Sequence, residues 1–397
     1  MEKSRVVIVP CDNYGKETVY QAMKKGIDTL GGIGRFVKRD ESILIKPNLL
    51  KAADPDKAVT THPSVIEAMF RILCEEGYRK VSYGDSPGHG DCAGAAKKLA
   101  LDDSARRYGI TQANMDEEVL VRFPEGMTAD EFYFTKGVAE ADAIINLCKL
   151  KTHALERMTG AVKNVYGFIC GARKPAGHVK YPNAAIFARM LADIHRSRDI
   201  RLHITDAVVA MEGNGPGAGD PVPMNMLLFS EDPFALDAVC CRLIALDPRL
   251  VPTCVQGEAM GIGTWKAEKI EVIVAVPGED TEEIFTAADQ KKWISRFGRP
   301  DFRVERRKVM TSLFGFYSGF MTKFARRPHI DKDLCVKCGI CVEHCPVPGK
   351  AVTFAKGKKQ PPVYDYRKCI RCYCCQEMCP RKAILVRKGI FGMRGKA

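Results

Sequence analysis

No window of the 397 residues stays apolar long enough to span a bilayer. Nor does the start read as a secretory leader, since Met1-Glu2-Lys3-Ser4-Arg5 runs directly into the short apolar stretch Val6–Val9. Walker A and GxGxxG loops are lacking, and no flavin or nicotinamide signature appears. What the chain has in quantity is cysteine, 17 in all. Eight fall in two matched runs near the end. The other nine are scattered without framework spacing, which excludes a secreted disulfide scaffold. Free thiols in this number point to a reducing cytoplasm, in an organism that lives without oxygen.

The two runs are Cys335-x2-Cys338-x2-Cys341-x3-Cys345-Pro346 and Cys369-x2-Cys372-x2-Cys375-x3-Cys379-Pro380. A zinc ribbon uses two CxxC pairs and four ligands, so two four-Cys runs each closed by Pro fit zinc poorly. The spacing is that of bacterial ferredoxins, in which the fourth Cys of each run serves the other cluster. Residues 329–387 resemble the dicluster ferredoxins, which implies two [4Fe–4S] clusters. The expected ligand sets are Cys335, Cys338, Cys341 and Cys379 for one cluster, and Cys369, Cys372, Cys375 and Cys345 for the other. Cys374 departs from the pattern as an extra thiol between two ligands, either idle or a competitor of Cys375 during assembly.

The net charge of +13 is concentrated at the end, where residues 301–397 carry 22 Lys and Arg against 7 Asp and Glu, while the first 300 carry 39 against 41. Nucleic acid is an unlikely partner despite this excess. The basic residues spread through ferredoxin loops rather than forming a stripe with stacking aromatics, and two clusters offset part of the charge. Between the parts, residues 303–327 place Met310, Leu313, Phe314, Tyr317, Phe320, Met321 and Phe324 on one helical face, flanked by Arg306, Arg307, Lys308, Lys323, Arg326 and Arg327. This segment reads as a helix docking the C-terminal part onto the front one, with contact to a membrane surface as the alternative. The expected organisation is therefore an α/β domain over 1–300, a basic amphipathic connector over 301–328, a ferredoxin domain over 329–387 and a basic tail over 388–397.

Along residues 1–280, β-rich apolar runs alternate with segments of helical periodicity. Strands are expected at Arg5–Pro10, Ser42–Lys46, Lys80–Tyr83, Val119–Phe123, Ala143–Leu150, Arg201–Val209, Met224–Phe229 and Ile270–Val276. Helices are expected at Lys16–Leu30, Pro63–Glu76, Ala93–Tyr108, Ala184–Ser197 and Asp232–Ile244. The runs beginning at 42, 80, 143 and 201 are continuously apolar, as strands covered on both faces are. The fold class is α/β with a mostly parallel sheet, followed by a small α+β ferredoxin-like domain.

In such sheets ligands sit beyond the carboxyl ends of the strands. Those ends here are Lys46-Pro47-Asn48, the glycine-rich turn Gly84-Asp85-Ser86-Pro87-Gly88-His89-Gly90, and Lys149-Leu150-Lys151-Thr152-His153. The last is followed by Thr159-Gly160-x2-Lys163-Asn164-x2-Gly167 and by His178, and a flexible stretch over 212–220 offers a lid. Lysines that interrupt an apolar strand end suit a carboxylate or phosphate, or acid–base work. Together with Asp232-Pro233-x-Ala235-Leu236-Asp237-Ala238, these motifs resemble the family catalogued as domain of unknown function 362, over roughly residues 5–265. That resemblance implies a cytoplasmic iron–sulfur redox protein without implying a reaction. The order His153, Lys163, His178 is also similar to nickel-dependent lactate racemases, in which the Lys anchors a nickel-pincer nucleotide.

The reading is a ferredoxin-coupled oxidoreductase. An anionic small molecule is expected at Lys46, Asn48, Asp85, Ser86, Lys149, Lys151 and Asn164, with Lys163, His153 and His178 as catalytic residues. A redox partner protein is expected to exchange electrons with the clusters. Two other readings stand beside it: an electron carrier whose front domain docks a partner enzyme, and an assembly factor using Cys374, Cys148 and Cys170 as transient ligands.

Overall fold

The computed structural model describes residues 3–307 and 326–387. Most of the expected connector helix, 308–325, and the basic tail from 388 onward lie outside the described residues, and with them the membrane-contact face. Within the expected connector, 303–307 are not helical and Arg327 already opens a strand.

The strands of the front part are β1 Ser4–Pro10, β2 Ile43–Pro47, β3 Val81–Tyr83, β4 Thr111–Gln112, β5 Glu118–Arg122, β6 Glu131–Thr135, β7 Ala143–His153, β8 Arg157–Thr159, β9 Ile200–Glu212, β10 Asp220–Ser230, β11 Ile270–Ala275 and β12 Glu282–Phe285. All but β5 and β6 form one sheet in the order β12-β11-β1-β10-β9-β7-β2-β3-β4, with β8 paired to β7. The four continuously apolar runs become β9, β7, β2 and β3, which are adjacent and parallel. Every residue of β2 and β7 is buried, as two covered faces require. The period of two shows in β1, where Val7 and Val9 enter one core while Val6 and Ile8 enter the other.

Two expectations need correction. The strand at Val119–Phe123 does not join the main sheet, because β5 pairs only with β6 and alternates between exposed and half-buried residues. The helix expected over Ala93–Tyr108 is two, Cys92–Lys98 and Leu101–Arg107, broken where Ala100 takes a left-handed φ of 52°.

The C-terminal part pairs Arg327–Ile330 with Ile384–Arg387 and Val352–Thr353 with Val363–Tyr364, around a small core of Ile330, Ala351, Val352, Ala383 and Ile384. The stretch over 212–220 is its dock. Gln376 Nε2 donates to Asn214 O at 2.8 Å, Asn214 Nδ2 to Ile384 O at 3.0 Å, and Lys382 Nζ to Gly219 O at 2.9 Å. The C-terminal part is thereby seated at the carboxyl ends of β7 and β9, and the stretch is a clamp rather than a free lid.

Candidate functional site

The alternating residues of β7 have different fates. Lys149 meets Asp206, its register partner on β9, at 2.8 Å, and also donates to Tyr14 at 2.7 Å. Two residues on, Lys151 donates to Asn48 Oδ1 and to Val59 O, both at 2.7 Å. Asn48 Nδ2 then donates to Asn164 Oδ1 at 3.0 Å, and Asn164 Nδ2 to Asn146 Oδ1 at 2.7 Å. This chain of amides fixes the Lys151 end of the site. Burial, and then the Lys163 charge, pushes the Lys151 amine well below its usual range.

Lys163 is set by the short helix Ala161–Asn164. The Asp237 carboxylate accepts from Ala161 N at 2.7 Å and Val162 N at 3.1 Å, capping its first turn. Gly160 is required there, since a Cβ would collide with Asp237. Gly167 is required for the same reason against Asp85 and Lys46. Among the described residues no hydrogen-bond or ion-pair partner reaches Lys163 Nζ, which lies 5.7 Å from the Tyr166 ring centre and 6.0 Å from that of Phe187.

These groups wall a cavity of about 90 Å³. From the expected set, Asn48, Asp85, Ser86, Lys151, His153, Lys163, Asn164 and His178 all line it. Lys46 and Lys149 do not. Lys46 is fully buried 2.8 Å from Asp85, and Lys149 is equally sealed against Asp206, so each ammonium serves a carboxylate of the fold. Sequence reasoning missed Tyr166, Lys174, Glu377 and Met378, which also line the cavity. Lys174 donates to the carbonyls of Ser86 and Pro87, and burial pushes its amine down to about 8. Glu377 and Met378 carried no signal, because they belong to the C-terminal part. Cys374, noted as an extra thiol, lines the cavity beside the Cys372 sulfur. Cys148 instead packs on Thr205, and Cys170 donates to Asp116 O, so the three thiols of the assembly reading are not brought together.

His153 is neutral in this setting. Its Nδ1 accepts from Leu155 N at 3.1 Å and Glu156 N at 3.0 Å, leaving the proton on Nε2. Burial and the Lys163 charge push its pKa down to about 4. Nε2 lies 2.9 Å from Glu377 Oε1, close enough to attract but not aligned to satisfy either atom. Burial disfavours the Glu377 carboxylate, yet His153 and Lys163 outweigh it and hold the carboxyl below its usual range. His178 stacks on Phe187 at 4.6 Å and leaves Nδ1 without a partner. Burial pushes His178 down to about 3. Several residues that line the cavity thus carry buried polar atoms without a hydrogen-bond partner, a condition that suits a polar ligand.

The cysteine runs wind around left-handed turns at Lys337, Gly339, Arg371 and Tyr373. Cys335, Cys338, Cys341 and Cys379 line one cavity. Burial, and then Cys338, Cys379 and Cys335, pushes the Cys341 thiol up to about 12, so these thiols ionise together only around a cation. Burial, and with it the neighbouring Cys372 and Cys345 sulfurs, pushes the Cys369 thiol up as well. Ala351 N donates to Cys345 Sγ and Ala383 N to Cys379 Sγ, both at 3.3 Å, and Tyr364 donates to Cys375 Sγ at 3.2 Å. Such a donor set suits iron–sulfur ligation.

The family model described as Domain of unknown function (DUF362) matches residues 43–242, and that of a 4Fe-4S dicluster domain matches 327–380. The curated Thylakoid-associated protein sll1697 of Synechocystis sp. is 33% identical over 270 residues, which are 66% of this chain and 81% of the relative. Among solved structures, the lactate racemase apoprotein from Thermoanaerobacterium thermosaccharolyticum aligns with a TM-score of 0.39 and 12% identity, over 60% of this chain and 57% of that one. A Thermotoga maritima protein aligns with a TM-score of 0.33 and 17% identity, over 54% of each chain. This chain spans less than two thirds of either structure. Among the described residues no helix is long and apolar enough to cross a membrane.

Proposed function

Because the chain belongs to the family described as Domain of unknown function (DUF362) and ends in a 4Fe-4S dicluster domain, we propose its reaction from the cavity itself: a ferredoxin-coupled oxidoreductase acting on a small anion. One observation carries the reading. Cys374 and Glu377, from the short helix that also holds Cys375, line the same cavity as Lys151, His153 and Lys163. The thiol set of Cys369, Cys372, Cys375 and Cys345 is thus joined to the wall of the pocket that holds the unpaired ammonium of Lys163. Two [4Fe–4S] clusters, held by the two crossed cysteine sets, supply single electrons when bound.

The chain's own residues do the rest. Lys163, free of internal partners, binds the anion, with Lys174 as a second ammonium and Asn48 and Asn164 orienting it. His153, neutral, offers its Nε2–H as a hydrogen-bond donor to the bound anion, and Glu377 positions that ring. The half-apolar wall of Leu50, Tyr166 and Met378 excludes bulk water. A cytoplasmic location accompanies this reading, since thiolate-held iron needs a reducing compartment.

The test uses anaerobically purified, fully loaded protein. Photoreduced samples are mixed with panels of small carboxylates and phosphates, and reoxidation is followed optically. Lys163→Met and His153→Ala should slow ligand-dependent reoxidation at least about 100-fold and keep about eight iron per chain. Unchanged rates, or loss of iron in both variants, would overturn the assignment.

A further inference from the structure

Seven large apolar side chains are exposed among the described residues, and three of them, Leu334, Val336 and Val363, belong to the C-terminal part. Val336 and Pro362 line the cavity of Cys335, Cys338, Cys341 and Cys379, and Leu334 and Val363 are their chain neighbours. The rim is cationic. Lys337 and Arg381 line the same cavity, Lys337 Nζ donates to Lys359 O at 3.1 Å, and Lys358 Nζ stands 3.9 Å from where a Cβ on Gly339 would be. Among the described residues no carboxylate pairs with Lys337, Lys358, Lys359 or Arg381, whereas Arg367 and Lys382 do find partners. Asp331 and Asp333 precede Leu334 in the chain. Cys338, which lines this cavity, is exposed, while Cys375 is buried.

We infer that this face is the docking surface for an acidic redox protein that exchanges single electrons beside the Cys335–Cys379 thiols. A small apolar centre ringed by unneutralised cations is the form of a charge-steered, transient interface. A second copy of the chain does not fit, because residues 327–387 carry 13 Lys and Arg against 5 Asp and Glu and two such faces repel. Among the described residues none lines both this cavity and the front one, so partner and ligand can bind at once. In the transfer a reduced carrier loses one electron, the protein gains it, and no covalent bond changes.

The inference rests on the electron-transfer reading above, and the experiment separates their failures. Anaerobic holoprotein is mixed with a reduced acidic flavodoxin or with reduced methyl viologen, and bleaching of the iron–sulfur absorbance is timed. Flavodoxin should reduce the wild type about tenfold more slowly at high than at low salt. At low salt the triple variant Lys337→Glu, Lys358→Glu, Lys359→Glu should be slower by at least about tenfold. Viologen should reduce both equally, and carbodiimide should couple flavodoxin carboxylates to these lysines. The docking inference falls if flavodoxin reduces wild type and variant alike, if the rate ignores salt, or if coupling maps elsewhere. It also falls if phosphatidylserine vesicles retain the wild type and release the variant, which would make the face a lipid surface. Failure of viologen as well would sink the electron-transfer reading itself.

Discussion

Lys46 and Lys163 both stand in polar motifs with an asparagine close behind them in the chain, yet they answer to different demands. Lys46 is fully buried against Asp85, and its removal leaves that carboxylate without a counter-charge. Lys46→Met should cost about 3–5 kcal/mol of stability by denaturant titration. Lys163→Met should cost less, about 1 kcal/mol, because its ammonium has no hydrogen-bonded or ion-paired partner among the described residues and acts on the Glu377 carboxylate only at a distance. Equal costs would show that Lys163 is structural. Lys174 adds a pH dependence. Its amine is depressed by burial to about 8 from 10.5, so the ammonium is present at neutral pH and lost as pH rises through about 8. Anion affinity should fall across that window in calorimetric titrations. Folding stability moves the other way between about 8 and 10.5, since there the unfolded chain holds a proton that the native state does not. Lys174→Met should remove both steps.

At the scale of elements, β7 carries the site because it continues past the sheet to His153, where the strand end meets the 212–220 clamp. Gly215 N donates to Thr152 Oγ1 at 3.1 Å, and Gln376 reaches the backbone oxygens of Asn214 and Gly215 at 2.8 and 3.2 Å. The Gln376 amide is fully buried, and its loss leaves those carbonyls bare. Gln376→Ala should therefore raise hydrogen exchange in 212–220 and 374–384 by at least about tenfold, a local opening cost of about 1.4 kcal/mol. Exchange in β2 and β7 should stay as slow as before. Acceleration throughout the sheet would mean that the clamp is part of the global fold. The parallel block was legible in the sequence because strands covered on both faces leave continuous apolar runs, and β9, β7, β2 and β3 did so. The detachment of β5 was not, because a short alternating run reads the same at a hairpin as at a sheet edge. The break at Ala100 left no mark either, since alanine is the last residue expected to leave a helix.

For the whole molecule, the cavity belongs to two parts at once. Its front wall comes from the sheet edge, while Cys374 and Glu377 come from the short helix that carries Cys375, and Met378 follows it, in the part that a bound cluster would brace. Stripping iron with a chelator under anaerobic conditions should weaken anion binding at least about tenfold while leaving the far-ultraviolet signature of the sheet unchanged. Undiminished binding in the iron-free protein would place the ligand on the front part alone.

Local spacing determined the cysteine runs and the sheet class, because ligand wrapping and strand burial are written in near neighbours along the chain. The polar motifs at the strand ends marked the right edge of the sheet for the same reason. Tertiary structure alone decided which lysines remain free for a ligand, since neutralisation depends on Asp85 and Asp206, far away in the chain. It alone decided that Glu377 faces His153, across 224 residues of separation, because contacts between parts leave no periodicity in either.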